Sequence, residues 1–149
     1  LKKIVDDLAK KKVNAPDPAK EFPRGLALYR NICQACHGAD GNGVNGLAPP
    51  LNNSDWVTGD KKRLGAVVLF GLSGPITVSK KLYKAPEVSG EMPGIASNTN
   101  FSDEDVAQVL SYIRSSWANS ADKVTKEEVA GIRLKYKGKQ QSFTDKELY

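Results

Sequence analysis

The stretch N31-I-C-Q-A-C-H-G38 contains both cysteines of the chain, Cys33 and Cys36, and its only histidine, His37. These side chains stand at positions i, i+3 and i+4, which share one face of a helical turn. The 149-residue chain therefore places its whole supply of cysteine and histidine within five consecutive positions. We expect a single site to be built around this stretch.

The spacing C-x-x-C-H is the attachment signature for c-type haem. Two thiols on one helical face can add to the two vinyl groups along one porphyrin edge, and the neighbouring imidazole can bind the iron. A zinc site is less favoured because it needs four ligands, and the chain offers two cysteines and one histidine. A redox-active thiol pair should follow a strand in a βαβ pattern, which is missing, and a disulfide across two residues would be strained. The sequence therefore favours covalent haem held by Cys33 and Cys36, with His37 on the iron.

Haem iron takes a second axial ligand or leaves that position open. A second histidine is excluded by counting, and Met92 is the only methionine. Met92 lies in a polar loop between glycine and proline residues, where a methionine that merely fills a core is not expected. Pro93 restricts its backbone to an extended conformation. We predict that Met92 is the second ligand; if it is not, the alternative function is a haem-based sensor of small ligands or a peroxidase.

Apolar periodicity and capping signals predict helices along most of the chain. The predicted helices span residues 1–12, 22–32, 60–70, 102–117 and 125–136. No pair of strong strand patterns is present, so the predicted fold class is all-α, with three to four helices around one haem. The longest apolar run, residues 65–72, is too short to span a bilayer, so no transmembrane segment is predicted.

The chain is predicted to have three parts. These are an N-terminal helical arm and linker over 1–20, a haem domain over 21–120 and a helical C-terminal extension over 121–149. The complete haem pattern lies within 22–119, so both tails are expected to be dispensable for the redox site.

The net charge of +5 is concentrated in the two tails, because residues 21–120 carry 9 basic and 9 acidic side chains. A neutral central region argues against a basic nucleic-acid-binding face. Lys80, Lys81 and Lys84 form a local basic cluster before Met92, which is either a solvated loop or part of the haem rim.

Residues 22–119 resemble a class I, mono-haem cytochrome c domain. The matching motifs are G25-L-A-L-Y-R-N-I-C-Q-A-C-H-G38, P49-P-L51, E91-M-P93 and V109-L-S-Y-I113. The resemblance implies that the Pro49 carbonyl accepts the Nδ1–H of His37, and that Leu51, Trp56 and Tyr83 line the haem pocket. It also implies a crossing of the first and last helices, with Gly25 and Tyr29 meeting Val109 and Tyr112. Trp56 and Trp117 are expected to be packing residues whose indole N–H groups can donate to a haem propionate.

Residues 51–57 and 69–78, together with Tyr83, are similar to cytochrome domains that accompany bacterial periplasmic dehydrogenases or respiratory oxidases. This likeness implies one-electron transfer by a domain of a larger exported redox protein, rather than an enzyme. It implies a fused or associated dehydrogenase as the electron donor and a respiratory protein as the acceptor. The expected compartment is the periplasm, and a membrane tether outside the given sequence is compatible with the same interpretation.

Overall fold

The computed structural model describes residues 17–148, so the predicted helix over 1–12 lies outside the described residues. Helices account for most of the regular structure in that range. In chain order the α-helices are α1 (Pro18–Glu21), α2 (Pro23–Leu28), α3 (Gln34–His37), α4 (Asp55–Thr58), α5 (Lys61–Phe70), α6 (Asp103–Ser115), α7 (Lys126–Lys135) and α8 (Asp145–Leu148), with a π-helical segment, Tyr29–Cys33, joining α2 to α3.

Capping residues fix the starts of the three longest helices. The Asp60 carboxylate accepts the backbone N–H of Lys62 and opens α5. Reciprocal capping boxes open α6, from Ser102 and Asp105, and α7, from Thr125 and Glu128. Each box satisfies backbone donors that the first helical turn leaves without partners. The helices predicted over 60–70, 102–117 and 125–136 are therefore confirmed, with ends shifted by a few residues.

The helix predicted over 22–32 is present but is not a uniform α-helix. After α2, the segment Tyr29–Cys33 winds as a π-helix, and the backbone N–H of Gln34 reaches the carbonyl of Tyr29. A π segment inserts one residue into the helical register and is frequent at functional sites. It ends at Cys33, so the register changes where the haem-attachment motif begins.

The all-α class is confirmed only in part, because the described chain also contains five short strands. The strands are β1 (Gly71–Ser73), β2 (Ile76–Val78), β3 (Lys81–Tyr83), β4 (Glu91–Pro93) and β5 (Phe143–Thr144). β1 is the central strand of a three-stranded sheet, antiparallel to β4 and parallel to β5, and β2 and β3 form an antiparallel pair. Strands of two or three residues are too short to show a period-2 pattern in the sequence.

The first and last helices of the haem region cross at Gly25. A Cβ atom on this glycine would lie 2.3 Å from the carbonyl oxygen of Gln108 and 2.9 Å from Cβ of Tyr112. The Tyr29 and Tyr112 rings pack against each other in a tilted arrangement, with their centroids 5.6 Å apart. Val109 is also buried on α6. Only a residue without a side chain permits so close an approach of α2 and α6.

The buried core continues past residue 120 into the C-terminal extension. Val124, Val129, Ile132 and Phe143 are each at most 5% exposed and belong to the same apolar cluster as the α2–α6 crossing. The division at residue 120 stays a prediction, but α7 and β5 pack against the part of the chain that carries the motif. Within residues 17–148, no helix has the length and apolar character needed to cross a membrane.

Candidate haem site

Cys33, Cys36, His37 and Met92 all line one cavity, although the sequence separates the methionine from the others by more than fifty positions. The cavity is open to solvent, and its empty space, with the solvent at the opening included, is about 1290 Å³. Most of its wall is apolar and comes from helices and strands alike, including Val57, Leu64, Val67, Leu72, Ile76 and Val78. An apolar cavity with two thiols, an imidazole and a thioether along its wall fits a porphyrin with an axially ligated iron.

His37 is the most buried member of the motif, at 7% exposure. Its Nδ1 lies 2.9 Å from the carbonyl oxygen of Pro49, the contact that the family resemblance implies. A carbonyl can only accept a hydrogen bond, so the proton resides on Nδ1 and the lone pair of Nε2 is left available as a ligand. Burial lowers the pKa of His37, and the bond to Pro49 opposes this effect without cancelling it. The imidazole is therefore held neutral and fixed in orientation.

A glycine-rich loop positions the Pro49 carbonyl. The N–H of Gly43 donates to the carbonyl of His37 at 2.8 Å, which folds the loop back on the motif. Gly43 has a φ of +80°, and a Cβ there would lie 2.6 Å from the carbonyl oxygen of Ala48. A left-handed backbone and close contact with the chain at Ala48–Pro49 both require glycine. The loop thus sets the distance between His37 and its acceptor.

The two thiols lie nearer to solvent than the imidazole. Cys36 is exposed and Cys33 is half-buried, and neither is in a disulfide. Burial, with a smaller contribution from the neighbouring Cys36, raises the pKa of Cys33 to about 12. Ile32 and Leu47, which also line the cavity, are 40% and 41% exposed. The edge of the cavity at the two cysteines is therefore exposed and apolar.

Met92 is the middle residue of β4, where it pairs with Leu72 of β1. It is half-buried and packs against the apolar core. Two hydrogen bonds after β4 hold the chain to α5, from the N–H groups of Ile95 and Ala96 to the carbonyls of Val68 and Leu69. The methionine is consequently fixed on a strand, whereas the sequence predicted a loop.

The other predicted pocket residues are only partly as expected. Leu51 and Trp56 line the cavity, but Tyr83 is not among the lining residues. It lies on β3, paired with Ile76 of β2, and Lys81 Nζ is 4.7 Å from its ring centroid. The indole N–H of Trp56 donates to the carbonyl of Thr77, and that of Trp117 donates to the carbonyl of Ala39. Both indole donors are thus satisfied by backbone rather than reserved for a propionate.

Arg114 is a structural residue that the sequence analysis missed. It is 2% exposed and donates to the carbonyls of Val57 and Gly59 and to the backbone and side chain of Asp122. These bonds tie α6 to the end of α4, whose residues Trp56 and Val57 line the cavity. The sequence signal that could have identified it is its place in the predicted helix over 102–117, four residues after Leu110, because a charged side chain beside buried apolar positions must find polar partners.

The basic cluster predicted at Lys80, Lys81 and Lys84 is partly neutralised. Lys81 Nζ lies 2.8 Å from Glu87 Oε1. This hydrogen bond and the charge of Glu87 raise the pKa of Lys81. An exposed pair of this kind contributes little to stability, but it reduces the local positive potential.

Comparison with known proteins identifies one family and several relatives of the chain. The sequence model of the family described as Cytochrome c matches residues 22–117. The cytochrome c subunit of a quinone alcohol dehydrogenase from Gluconobacter oxydans is 38% identical over 65% of this chain and 19% of that protein. Cytochrome c-552 of Thermus thermophilus is 33% identical over 74% of this chain and 85% of that protein. The gluconate 2-dehydrogenase cytochrome c subunit of Pantoea cypripedii is 33% identical over 73% of this chain and 24% of that protein. The chain therefore spans a quarter or less of the two dehydrogenase subunits and most of cytochrome c-552.

Proposed function

Since the chain belongs to the cytochrome c family, whose covalently bound haem c makes it an electron-transfer domain, we propose that His37 and Met92 are the two axial ligands of the haem iron. The observation that carries the proposal is that the only histidine and the only methionine of the chain line one cavity with both cysteines. They come from separate elements, α3 and β4. Cys33 and Cys36 are assigned the two thioether bonds.

The roles of the surrounding residues follow from this ligand assignment. Bound haem supplies a one-electron couple at its iron. The Pro49 carbonyl orients His37, and the apolar wall excludes water from the side chains that bind the metal. With His37 and Met92 both bound, no coordination position remains for a substrate, so electron exchange is favoured over oxygen or peroxide chemistry.

We assign electron entry and exit to the exposed edge of the cavity at Cys33 and Cys36. Cys36 is exposed, and Ile32 and Leu47 form an exposed apolar rim beside it. A partner can approach the haem closely only where the protein wall is thin. The exposed rim allows that approach without a large charge barrier.

The absorption spectrum of the purified holoprotein tests the ligand assignment. The oxidised protein is expected to show the weak near-infrared charge-transfer band of thioether sulfur bound to ferric haem. The reduced protein is expected to bind carbon monoxide slowly or not at all. A high-spin spectrum and rapid carbon monoxide binding would contradict the assignment and favour the sensor or peroxidase alternative.

The assignment of the thioether bonds predicts a graded loss of attachment. The holoprotein mass should exceed the 16.1 kDa chain by one haem, and the haem should remain with the protein in acidified acetone. Cys33→Ala and Cys36→Ala should each retain haem through one thioether, whereas the double variant should release it on extraction. Mass spectrometry before and after extraction measures this, and haem retained by the double variant would refute the assignment.

We propose further that this domain works within a larger exported redox protein in the bacterial periplasm. The electron donor is a fused or associated dehydrogenase, and the acceptor is a respiratory protein. Two relatives named as cytochrome c subunits of dehydrogenases support the donor class. The equal numbers of basic and acidic side chains in residues 21–120 support a fused or associated donor, because a tethered donor needs no electrostatic steering.

The tethered arrangement predicts a flat salt dependence. Reduction of the haem by the associated dehydrogenase should proceed at a rate independent of protein concentration and nearly constant as ionic strength rises, because no charged encounter limits it. Stopped-flow measurements at several salt and protein concentrations test this. A bimolecular rate that falls steeply with salt would instead indicate a diffusing carrier that docks through its basic side chains.

A further inference from the structure

The C-terminal extension is joined to the strand that carries Met92 through a single intermediate strand. Leu72 of β1 pairs with Met92 of β4 on one side and with Phe143 of β5 on the other. We propose that residues 139–147, the C-terminal brace, keep Met92 bound to the iron, and that Phe143 is the positioning residue of this brace. This inference rests on the ligand assignment proposed above.

Phe143 is anchored by an aromatic cluster at the corner between α5 and β1. It is 5% exposed and packs edge-on against Phe70, with ring centroids 6.2 Å apart, and against Tyr136 at 4.9 Å. Lys139 Nζ lies 4.2 Å from the Phe143 ring centroid. Phe70 is the last residue of α5 and directly precedes β1. Phe143 therefore fixes the position at which β1 begins.

β4 depends on the same corner for its own position. A Cβ on Gly71 would lie 2.6 Å from the carbonyl oxygen of Met92 and 3.1 Å from Ser142 Oγ. A Cβ on Gly94 would lie 2.4 Å from the carbonyl oxygen of Leu69. The chain from Met92 to Gly94 is thus in direct backbone contact with the α5–β1 corner. A three-residue strand has little stability without its neighbours.

The brace makes a second connection, to the cavity wall. Asp145 Oδ2 accepts the backbone N–H of Thr77 in β2 at 3.0 Å. The backbone carbonyl of Thr77 in turn accepts the indole N–H of Trp56. Ile76 and Val78, on either side of Thr77, line the cavity. The brace therefore holds both β1 and β2.

Loss of the brace should increase the rate at which Met92 leaves the iron. Carbon monoxide can bind reduced haem only after the methionine has left, so its binding rate reports this opening. The expected effect is local, because the brace is bonded to β1 and β2, whereas the His37–Pro49 contact and the two cysteines belong to other elements.

The test uses full-length holoprotein carrying Phe143→Ala, with Phe143→Leu as a milder variant. Ile132→Ala is the matched control, because Ile132 is 4% exposed, lies on α7 outside the brace and packs toward Gly65 of α5. For each protein the near-infrared band, the carbon monoxide binding rate and the unfolding midpoint are measured, the first two well below that midpoint.

We expect Phe143→Ala to bind carbon monoxide roughly tenfold faster than the unmodified protein. Removing a buried aromatic side chain costs packing energy, and only part of that energy is needed to shift the opening of Met92 tenfold. The carbon monoxide binding rate of Phe143→Leu should lie between those of Phe143→Ala and the unmodified protein. Ile132→Ala should lower the unfolding midpoint comparably and leave the binding rate within about twofold.

Equal binding rates in Phe143→Ala and the unmodified protein would overturn the proposal, as would equal acceleration by Ile132→Ala. If Phe143→Ala does not yield folded protein, the carbon monoxide binding rates of Phe143→Leu and Ile132→Ala are compared instead. A rate for Phe143→Leu no faster than that for Ile132→Ala would overturn the proposal. A near-infrared band that is absent already from the unmodified protein would instead refute the ligand assignment on which the proposal rests.

Discussion

Replacing Met92 with alanine is expected to leave the haem covalently attached while opening its iron to external ligands. The thioether sulfur is a soft donor that favours ferrous iron, so its loss should lower the reduction potential. Each tenfold loss of preference for the ferrous state lowers the potential by about 59 mV, and we expect a fall on the order of 100 mV or more. Carbon monoxide should bind the reduced variant at least about a hundredfold faster, because no protein ligand must leave first.

Redox titration and stopped-flow binding measure these changes. Ile95→Ala is the matched control, because Ile95 lines the same cavity three positions from Met92 and has no ligating atom. It should keep the near-infrared band and change the potential by much less. A Met92→Ala protein with the potential and carbon monoxide reactivity of the unmodified one would show that Met92 is not a ligand.

Gly25→Ala is expected to lower the free energy of unfolding, against the direction that helix propensity alone predicts. Alanine is a better helix former than glycine by about 1 kcal/mol, so local propensity alone favours the variant. The added Cβ would, however, lie 2.3 Å from the carbonyl oxygen of Gln108, a backbone atom that cannot rotate away. Separation of α2 and α6 should therefore dominate, with a net loss of about 2–3 kcal/mol.

Gly131→Ala provides a control of identical chemistry. Gly131 lies within α7, and a Cβ there would meet no atom within 4 Å. This variant should be stabilised by up to about 1 kcal/mol. Denaturant unfolding of the two holoproteins tests the difference, and a Gly25→Ala protein as stable as Gly131→Ala would mean that the crossing of α2 and α6 is less close than described.

The parts of the fold that the sequence predicted are those specified by local chemistry. Ser102 with Asp105 and Thr125 with Glu128 form capping boxes whose partners are three residues apart, so the helix starts could be predicted directly. The C-x-x-C-H motif is local in the same sense. The shared cavity of this motif and Met92 could be predicted only from the uniqueness of the residues and the family resemblance.

The features that were not predicted depend on partners far away in the chain. β1 has three residues and becomes a strand because β4 and β5 pair with it from opposite sides. Arg114 is satisfied by the carbonyls of Val57 and Gly59, which no local pattern identifies. The division at residue 120 and the expectation of dispensable tails followed the limits of the haem motifs, which carry no information about packing.

One feature of the sequence singles out Phe143. It is the only aromatic or aliphatic side chain between residues 137 and 147, in a stretch that is otherwise polar or glycine. An isolated aromatic residue in such a segment indicates an anchor, but the sequence does not identify what it anchors to. The structure supplies the α5–β1 corner as that site and gives a physical reason to expect that the extension influences the haem.

The central claim is that Met92 binds the iron opposite His37, and the proton NMR spectrum of the reduced holoprotein tests it most directly. Met92 is the only methionine, so its methyl group gives a single three-proton resonance that needs no separate assignment. The methyl group of a methionine whose sulfur binds the iron lies over the porphyrin ring, whose ring current shifts the resonance far upfield of all other methyl signals. The account predicts such a resonance in the reduced protein and its absence from Met92→Ala. A methionine methyl resonance at the position typical of an unligated side chain would contradict it.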